Sequence, residues 1–251
     1  MEVHHHPHVE KKRFKEYFLE FLMIFLAVTL GFFAESLREN MADHIKEKEF
    51  MRSMTQDLKD DTTTIAQTIK SYTNIYKEAD TMLICLKSGK PDPSIINQLL
   101  SHGFWLYTGY SYNNRTIQQL KNAGNFRLIK NTAVADSILY YDNIINSFVL
   151  NQYNDLKSTL LSYKDVEARV VPYKELSQPP DYYLLSQFDS SDFMTTNTHN
   201  FISDNKELLS LYYNRVFIHE ALCHTFILSL QSAKQYASRL LNLIQQEYHL
   251  N

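Results

Sequence analysis

The chain has 251 residues, a formal net charge of −3, five glycines and six prolines, roughly a third of the usual share of those two breakers. Sandwiches, barrels and dinucleotide folds need more turns than that. Gly31, Gly89, Gly103, Gly109 and Gly124 form neither GxGxxG nor GxxxxGK[ST], so the common nucleotide loops are absent. The slightly acidic balance gives nucleic acid no electrostatic hold. What remains is an all-α chain: an N-terminal transmembrane helix followed by an antiparallel bundle of three long helices, with short helices at the tip.

Residues 1–16 read as a short cytoplasmic arm. His4, His5, His6 and His8 form a tract broken by Pro7. It suits incidental metal capture and is assigned no function. From Phe21 to Ala34 the sequence FLMIFLAVTLGFFA carries no charge and one hydroxyl. That run alone covers about 21 Å of helix against a hydrocarbon core of about 30 Å. Tyr17 to Glu20 and the apolar surface beyond extend it to an anchor over residues 17–38. A cleaved signal peptide is the competing reading, but cutting after Ala34 puts Phe32 at −3, and cutting after Gly31 puts Thr29 there, where small residues are wanted. A buried soluble helix is the third. Lys11, Lys12, Arg13 and Lys15 crowd the N-terminal flank, which predicts an inner-membrane, single-pass protein with its N-terminus cytoplasmic and residues 39–251 periplasmic. Glu20 sits at the inner interface near Lys12 or Lys15, serves a structural role between packed anchors in an oligomer, or, third, takes part in ion or proton conduction.

Beyond the anchor, apolar residues recur at alternating steps of three and four. The first series is Met51, Met54, Leu58, Ile65, Ile69, Tyr72, Tyr76, Ala79, Leu83 and Leu86, with one beat missed at Asp61. The second is Val134, Ile138, Tyr141, Ile145, Phe148, Gln152, Leu156, Leu160, Tyr163, Val166 and Val170. The third is Leu209, Tyr212, Val216, His219, Cys223, Phe226, Leu230, Ala233, Ala237, Leu240 and Ile244. Spacing near 3.5 marks a packed seam of coiled-coil type, and the extra apolar flanks suit a bundle. The first helix should stop at Ser88-Gly89-Lys90-Pro91. Thr116 and Gln119 have capping-box spacing for a short helix that Gly124 ends. Asn131 caps the second long helix, Pro172 ends or kinks it, residues 177–200 read as a loop, and Ser203 or Asp204 caps the third.

Residues 94–131 hold the only tryptophan, Trp105, with Phe104, Tyr107, Tyr110 and Tyr112. They read as an aromatic cap on the bundle tip or as a surface for a ligand or partner. His219-Glu220-Ala221-Leu222-Cys223-His224 begins like HExxH, but the second histidine comes one residue late and is turned about 100° away. His219 and Cys223 remain a possible pair of metal ligands, and both also fall on the apolar seam, where packing explains them. Cys85 and Cys223 are the only cysteines. A periplasmic setting permits a bond between them, but their axial positions do not match, so free thiols are expected.

Residues 14–39 and 116–131 resemble a family of uncharacterised membrane-anchored helical proteins of Bacteroidetes-type bacteria. The TxxxLxxxGxxxLI pattern of that family is matched by Thr116, Leu120, Gly124, Leu128 and Ile129. The resemblance implies an N-terminal span with an acid near its start and a helical periplasmic part, and it implies no activity. No cofactor or nucleic acid is expected. The lipid bilayer is contacted through residues 17–38, and a protein partner or a homo-oligomer is anticipated. The expected function is a non-enzymatic membrane-tethered scaffold or interaction module. The alternatives are a sensor-like ligand-binding bundle acting through a membrane partner, which the 16-residue inner arm disfavours, and a metal-dependent enzyme centred on His219.

Overall fold

Between Phe14 and Lys87 the only breaker is Gly31, and these residues form one helix, α1. The computed structural model describes residues 14–88, 95–96, 99, 109–170 and 205–250. These are helical, with no strand among them. The chain divides into two compact units, Met1–Phe50 and Met51–Asn251, and α1 contributes to both.

In the first unit α1 presents Phe18, Phe21, Phe25, Leu30, Phe32 and Phe33 outward. The one hydroxyl of the apolar run is satisfied locally, Thr29 donating to the Phe25 carbonyl at 2.7 Å. An 18-residue stretch reaches a mean hydropathy of 2.1 with none of it buried, so the described residues contain one helix long and apolar enough to cross a membrane. Nothing lies within 4 Å of a Cβ built on Gly31, so no close contact requires glycine there.

In the second unit α1 is followed by α2 (Arg115–Asn122), a 3-10 turn (Asn125–Leu128), α3 (Thr132–Ile144), a π-helical turn (Ile145–Val149), α4 (Leu150–Val170) and α5 (Lys206–Tyr248). The first helix ends at Lys87 as expected, with the Ser88 hydroxyl donating to the Cys85 carbonyl. Gly124 takes φ 62°, the left-handed turn that follows α2. The Asn131 side chain accepts from the Ala133 and Val134 amides and caps α3.

Two caps differ from expectation. At α2 the Asn114 side chain makes no cap; Asp57 of α1 takes the Thr116 amide from outside, and the Asn113 side chain accepts from the Arg115 amide at 3.5 Å. At α5 the cap is Asn205, accepting from Glu207 and Leu208, while Ser203 and Asp204 lie outside the described residues, as do Pro172 and residues 177–200. Asn205→Ala should therefore lower stability by about 1 kcal/mol in denaturant titrations.

The direction of the long helices follows from which residues meet. Along α3–α4 and α5 the pairs are Tyr140 with Tyr236, Gln152 with Ser229 and Tyr163 with Tyr212. One number rises as the other falls, so these helices are antiparallel. Tyr72 meets Phe226 and Tyr76 meets His224, so α1 and α5 are antiparallel too. Asp61 meets Tyr141, however, and Ala79, Met82 and Leu83 share a core cluster with Tyr163, Val166 and Val170. The numbers rise together, so α1 and α3–α4 run parallel, with α5 antiparallel to both.

Parallel neighbours need a connection that travels back along the bundle. Ile96 and Leu99 belong to the cluster around Ala79, Tyr110 packs on Tyr153 and Phe226, and Asn113 reaches Asp57 and Asp61. The described part of this connection therefore runs along the bundle rather than capping its tip. The short helix α2 sits at the level of Asp57, at the opposite end from Ala79.

The third seam is buried from Tyr212 to Ile244, with only Leu209 half-exposed. The second seam slips once: Phe148 is 57% exposed and Val149 fully buried. The π-helical turn takes more residues per turn than an α-helix, so the position facing the core falls one residue later than a 3.5 beat predicts. In the first seam the beat missed by apolar residues is kept by Asp61 itself, which is buried.

Candidate functional site

Three features of the second unit bear on function: a carboxylate clasp, a buried polar chain and an uncharged groove.

Asp57 and Asp61 stand one turn apart on α1 and face the same side. Asp57 accepts from the Thr116 amide at 3.0 Å, from the Asn113 side chain at 2.9 Å and from Arg115 at 2.7 Å. Asp61 accepts from the Asn113 amide at 2.6 Å and from the Tyr141 hydroxyl at 2.8 Å. Asp142 of α3 takes Lys121 and the Tyr112 hydroxyl. The carboxylates replace the side-chain cap that α2 lacks, and they meet the partial positive charge of its first turn. Burial pushes Asp61 up to about 6, with Asp57 and Asp60 adding to the rise and the hydrogen bonds from Asn113 and Tyr141 opposing it. Tyr112 is pushed up to about 12 by burial and by Asp142. Tyr110 and Tyr141 are raised by burial and the Asp61 charge.

This clasp explains the TxxxLxxxGxxxLI residues. Thr116 offers its amide to Asp57, Leu120, Leu128 and Ile129 are buried, and Gly124 makes the left-handed turn. All five have structural tasks in docking the segment. Only the missed beat at Asp61 hints in the sequence that a partner carboxylate exists.

Farther along, Tyr163 donates to Tyr212 at 2.6 Å, both fully buried. Glu167, one turn from Tyr163, is hydrogen-bonded to it, and burial pushes Glu167 up to about 8. The Tyr163 hydrogen bond and the nearby Lys164 charge oppose that rise. His219 stacks near Tyr163 with ring centroids 6.4 Å apart, and burial lowers it to about 4. Cys223 Sγ lies 3.7 Å from His219 Nε2, and burial raises the thiol to about 12. A neutral imidazole beside a protonated thiol is packing chemistry. Among the described residues no group of three or more His, Cys, Asp or Glu side chains is placed to hold a metal ion. Cys85 and Cys223 are both buried free thiols.

The groove runs between the α3–π segment and α5, with a volume of about 290 Å³. Tyr140, Ile144 and Phe148 form one wall at helical spacing. Thr225, Leu228, Ser229, Ser232 and Tyr236 form the other. None is charged. Tyr140, Phe148 and Leu228 are each about half exposed, and the Tyr140 and Tyr236 rings meet edge to face at 5.2 Å.

Of the residues singled out in the sequence, Tyr110 is buried against Tyr153 and Phe226, so it belongs to the core and not to a surface. Glu20 is exposed on α1. Trp105 and Tyr107 lie outside the described residues. Sequence reasoning missed Asp57, Asp142 and Asn113, whose partners lie 20 or more positions away in the chain, and Glu167, whose partner Tyr163 is one turn away. The fold and these features define an all-helical protein with, among the described residues, one candidate membrane-spanning helix. No protein-family model, curated protein or solved structure matches the chain.

Proposed function

We propose that this chain is a membrane-tethered, extracytoplasmic interaction module that docks the apolar face of a protein helix in the groove between α3 and α5. The observation that carries the reading is the groove itself: an uncharged channel with half-exposed aromatic and leucine rims beside a π-helical turn. Helical partners bind such channels with apolar residues spaced three and four apart, and large exposed side chains at the centre supply most of the binding energy. Small Ser and Thr side chains on α5 let a partner backbone approach.

The apolar stretch of α1 supports tethering: none of it is buried, whereas a core helix would be mostly buried. The basic flank at Lys11, Lys12, Arg13 and Lys15 puts the N-terminus inside. The resemblance to membrane-anchored Bacteroidetes-type proteins points to the same periplasmic placement. Anchoring restricts partners to the membrane plane and raises their effective concentration, which lets a small groove suffice.

A photo-crosslinking amino acid at Leu228, in native membranes, should give one discrete adduct that Phe148→Lys abolishes. The same probe at the exposed Asp155 should give none. An adduct of twice the chain mass identifies a second copy, and any other mass a different protein. No adduct at Leu228, or the same adduct at Asp155, would refute docking in the groove. A C-terminal reporter active only outside the cytoplasm tests the orientation, and activity is expected.

A further inference from the structure

The three carboxylates buried where α1, α2 and α3 meet differ in their charge balance. Asp57 faces Arg115 at 2.7 Å, and Asp142 faces Lys121. Asp61 is 2% exposed and receives only neutral donors, the Asn113 amide and the Tyr141 hydroxyl, and makes no ion pair among the described residues. A buried carboxylate without a cation is the one that gains most from taking up a proton.

We infer that Asp61 is a proton-binding site that sets how firmly residues 113–122 are held on the bundle: the neutral carboxyl keeps the segment docked, and the carboxylate loosens it. The physical reason is solvation. Undocking α2 uncovers Asp61 to water, which favours the ionised form, whereas docking removes that water and favours the neutral form. Asp61 is accordingly pushed up to about 6 in the docked state, against an ordinary value of 3.8. A raised carboxyl contributes fully to docking below its ordinary value. That contribution is lost as pH climbs through the docked value.

The surrounding groups keep the balance negative. On α1, Asp57 and Asp60 both repel a second charge. From the connection and α2 come Tyr110, Tyr112, Arg115 and Lys121, the two cations held by Asp57 and Asp142. From α3 come Tyr141 and Asp142. At this level the buried residues of α5 are Ala233, Ala237 and Leu240, with Lys234 half-exposed and Arg239 exposed over the Tyr236 ring. The Tyr110 hydroxyl is buried with no hydrogen-bond partner among the described residues, and the Asp61 charge raises it.

The test is hydrogen exchange, read by mass spectrometry, on the full chain in detergent from pH 5 to pH 8, corrected for intrinsic exchange. Protection of peptide 113–123 should fall roughly 10-fold across this range, while peptide 226–244 of α5 stays level. Asp61→Asn should remove the fall. Tyr141→Phe deletes a hydrogen bond to the carboxylate and should move the midpoint to higher pH. A flat profile in the parent, a fall that survives Asp61→Asn, or an equal fall in α5 overturns the inference. If Asp61→Asn does not fold, the Tyr141→Phe midpoint decides, and an unshifted midpoint overturns it.

Discussion

Leu230→Asp should cost more than about 4 kcal/mol and leave the bundle unfolded or molten at room temperature. Leu230 is fully buried on the α5 seam, between Ile227 and Ala233, which are buried as well. An aspartate there has neither water nor a cation and must bury a charge or take a proton at high cost. Gln231 is one position round the helix and exposed, so Gln231→Asp should change stability by no more than about 0.5 kcal/mol. Denaturant titration of the full chain in mild detergent, followed by far-ultraviolet circular dichroism, separates the two. Equal effects from both substitutions would show that α5 does not bury the stripe from Tyr212 to Ile244.

Glu167→Gln should abolish the largest pH dependence of the bundle. Burial raises Glu167 from an ordinary 4.5 to about 8. A raised carboxyl contributes stability that is complete below its ordinary value and is lost as pH rises through its value in the fold. The parent should therefore weaken progressively between about pH 4.5 and pH 8, by roughly 3–5 kcal/mol at 1.36 kcal/mol per pH unit. Glutamine keeps a hydrogen-bonding group for Tyr163 and carries no charge, so the variant should hold its stability to pH 9. His219 acts in the opposite direction. Its value is lowered to about 4, so its contribution is present above 6.5 and lost as pH falls toward 4. Denaturation midpoints of parent and variant from pH 4 to pH 9 give both limbs. A variant whose midpoint still falls above pH 6 as steeply as the parent's would show that Glu167 is ionised and compensated in the fold.

These two substitutions probe different kinds of legibility. Leu230 was placed on the core face by spacing alone, because helical periodicity is a local property and each apolar beat reports the same buried side. Glu167 sits beside Val166, and nothing within its own helix separates a buried glutamate from a solvated one. Its burial comes with the packing of α4 on α5, where its partner Tyr163 hydrogen-bonds Tyr212.

The clasp repeats the lesson. Thr116 and Gln119 have capping-box spacing, yet the cap of α2 is Asp57, which stands 59 positions earlier. A carboxylate from another helix satisfies the first-turn amide better than a local side chain because it also neutralises Arg115.

The sequence by itself determined the helical class, the apolar stretch of α1, the end of α1 at Lys87, the Asn131 cap, the Gly124 turn and the α5 seam. Each depends on neighbours within a turn or two, where propensity, capping and periodicity act. Only the tertiary structure decided that α1 and α3–α4 run parallel, that a π-helical turn exposes Phe148 and buries Val149, that Tyr110 belongs to the core, and that Asp57 and Asp61 clasp α2. Those features are set by which helices come together. The energy of burying a carboxylate or rotating a seam is fixed by partners far away in the chain, and no local pattern encodes them.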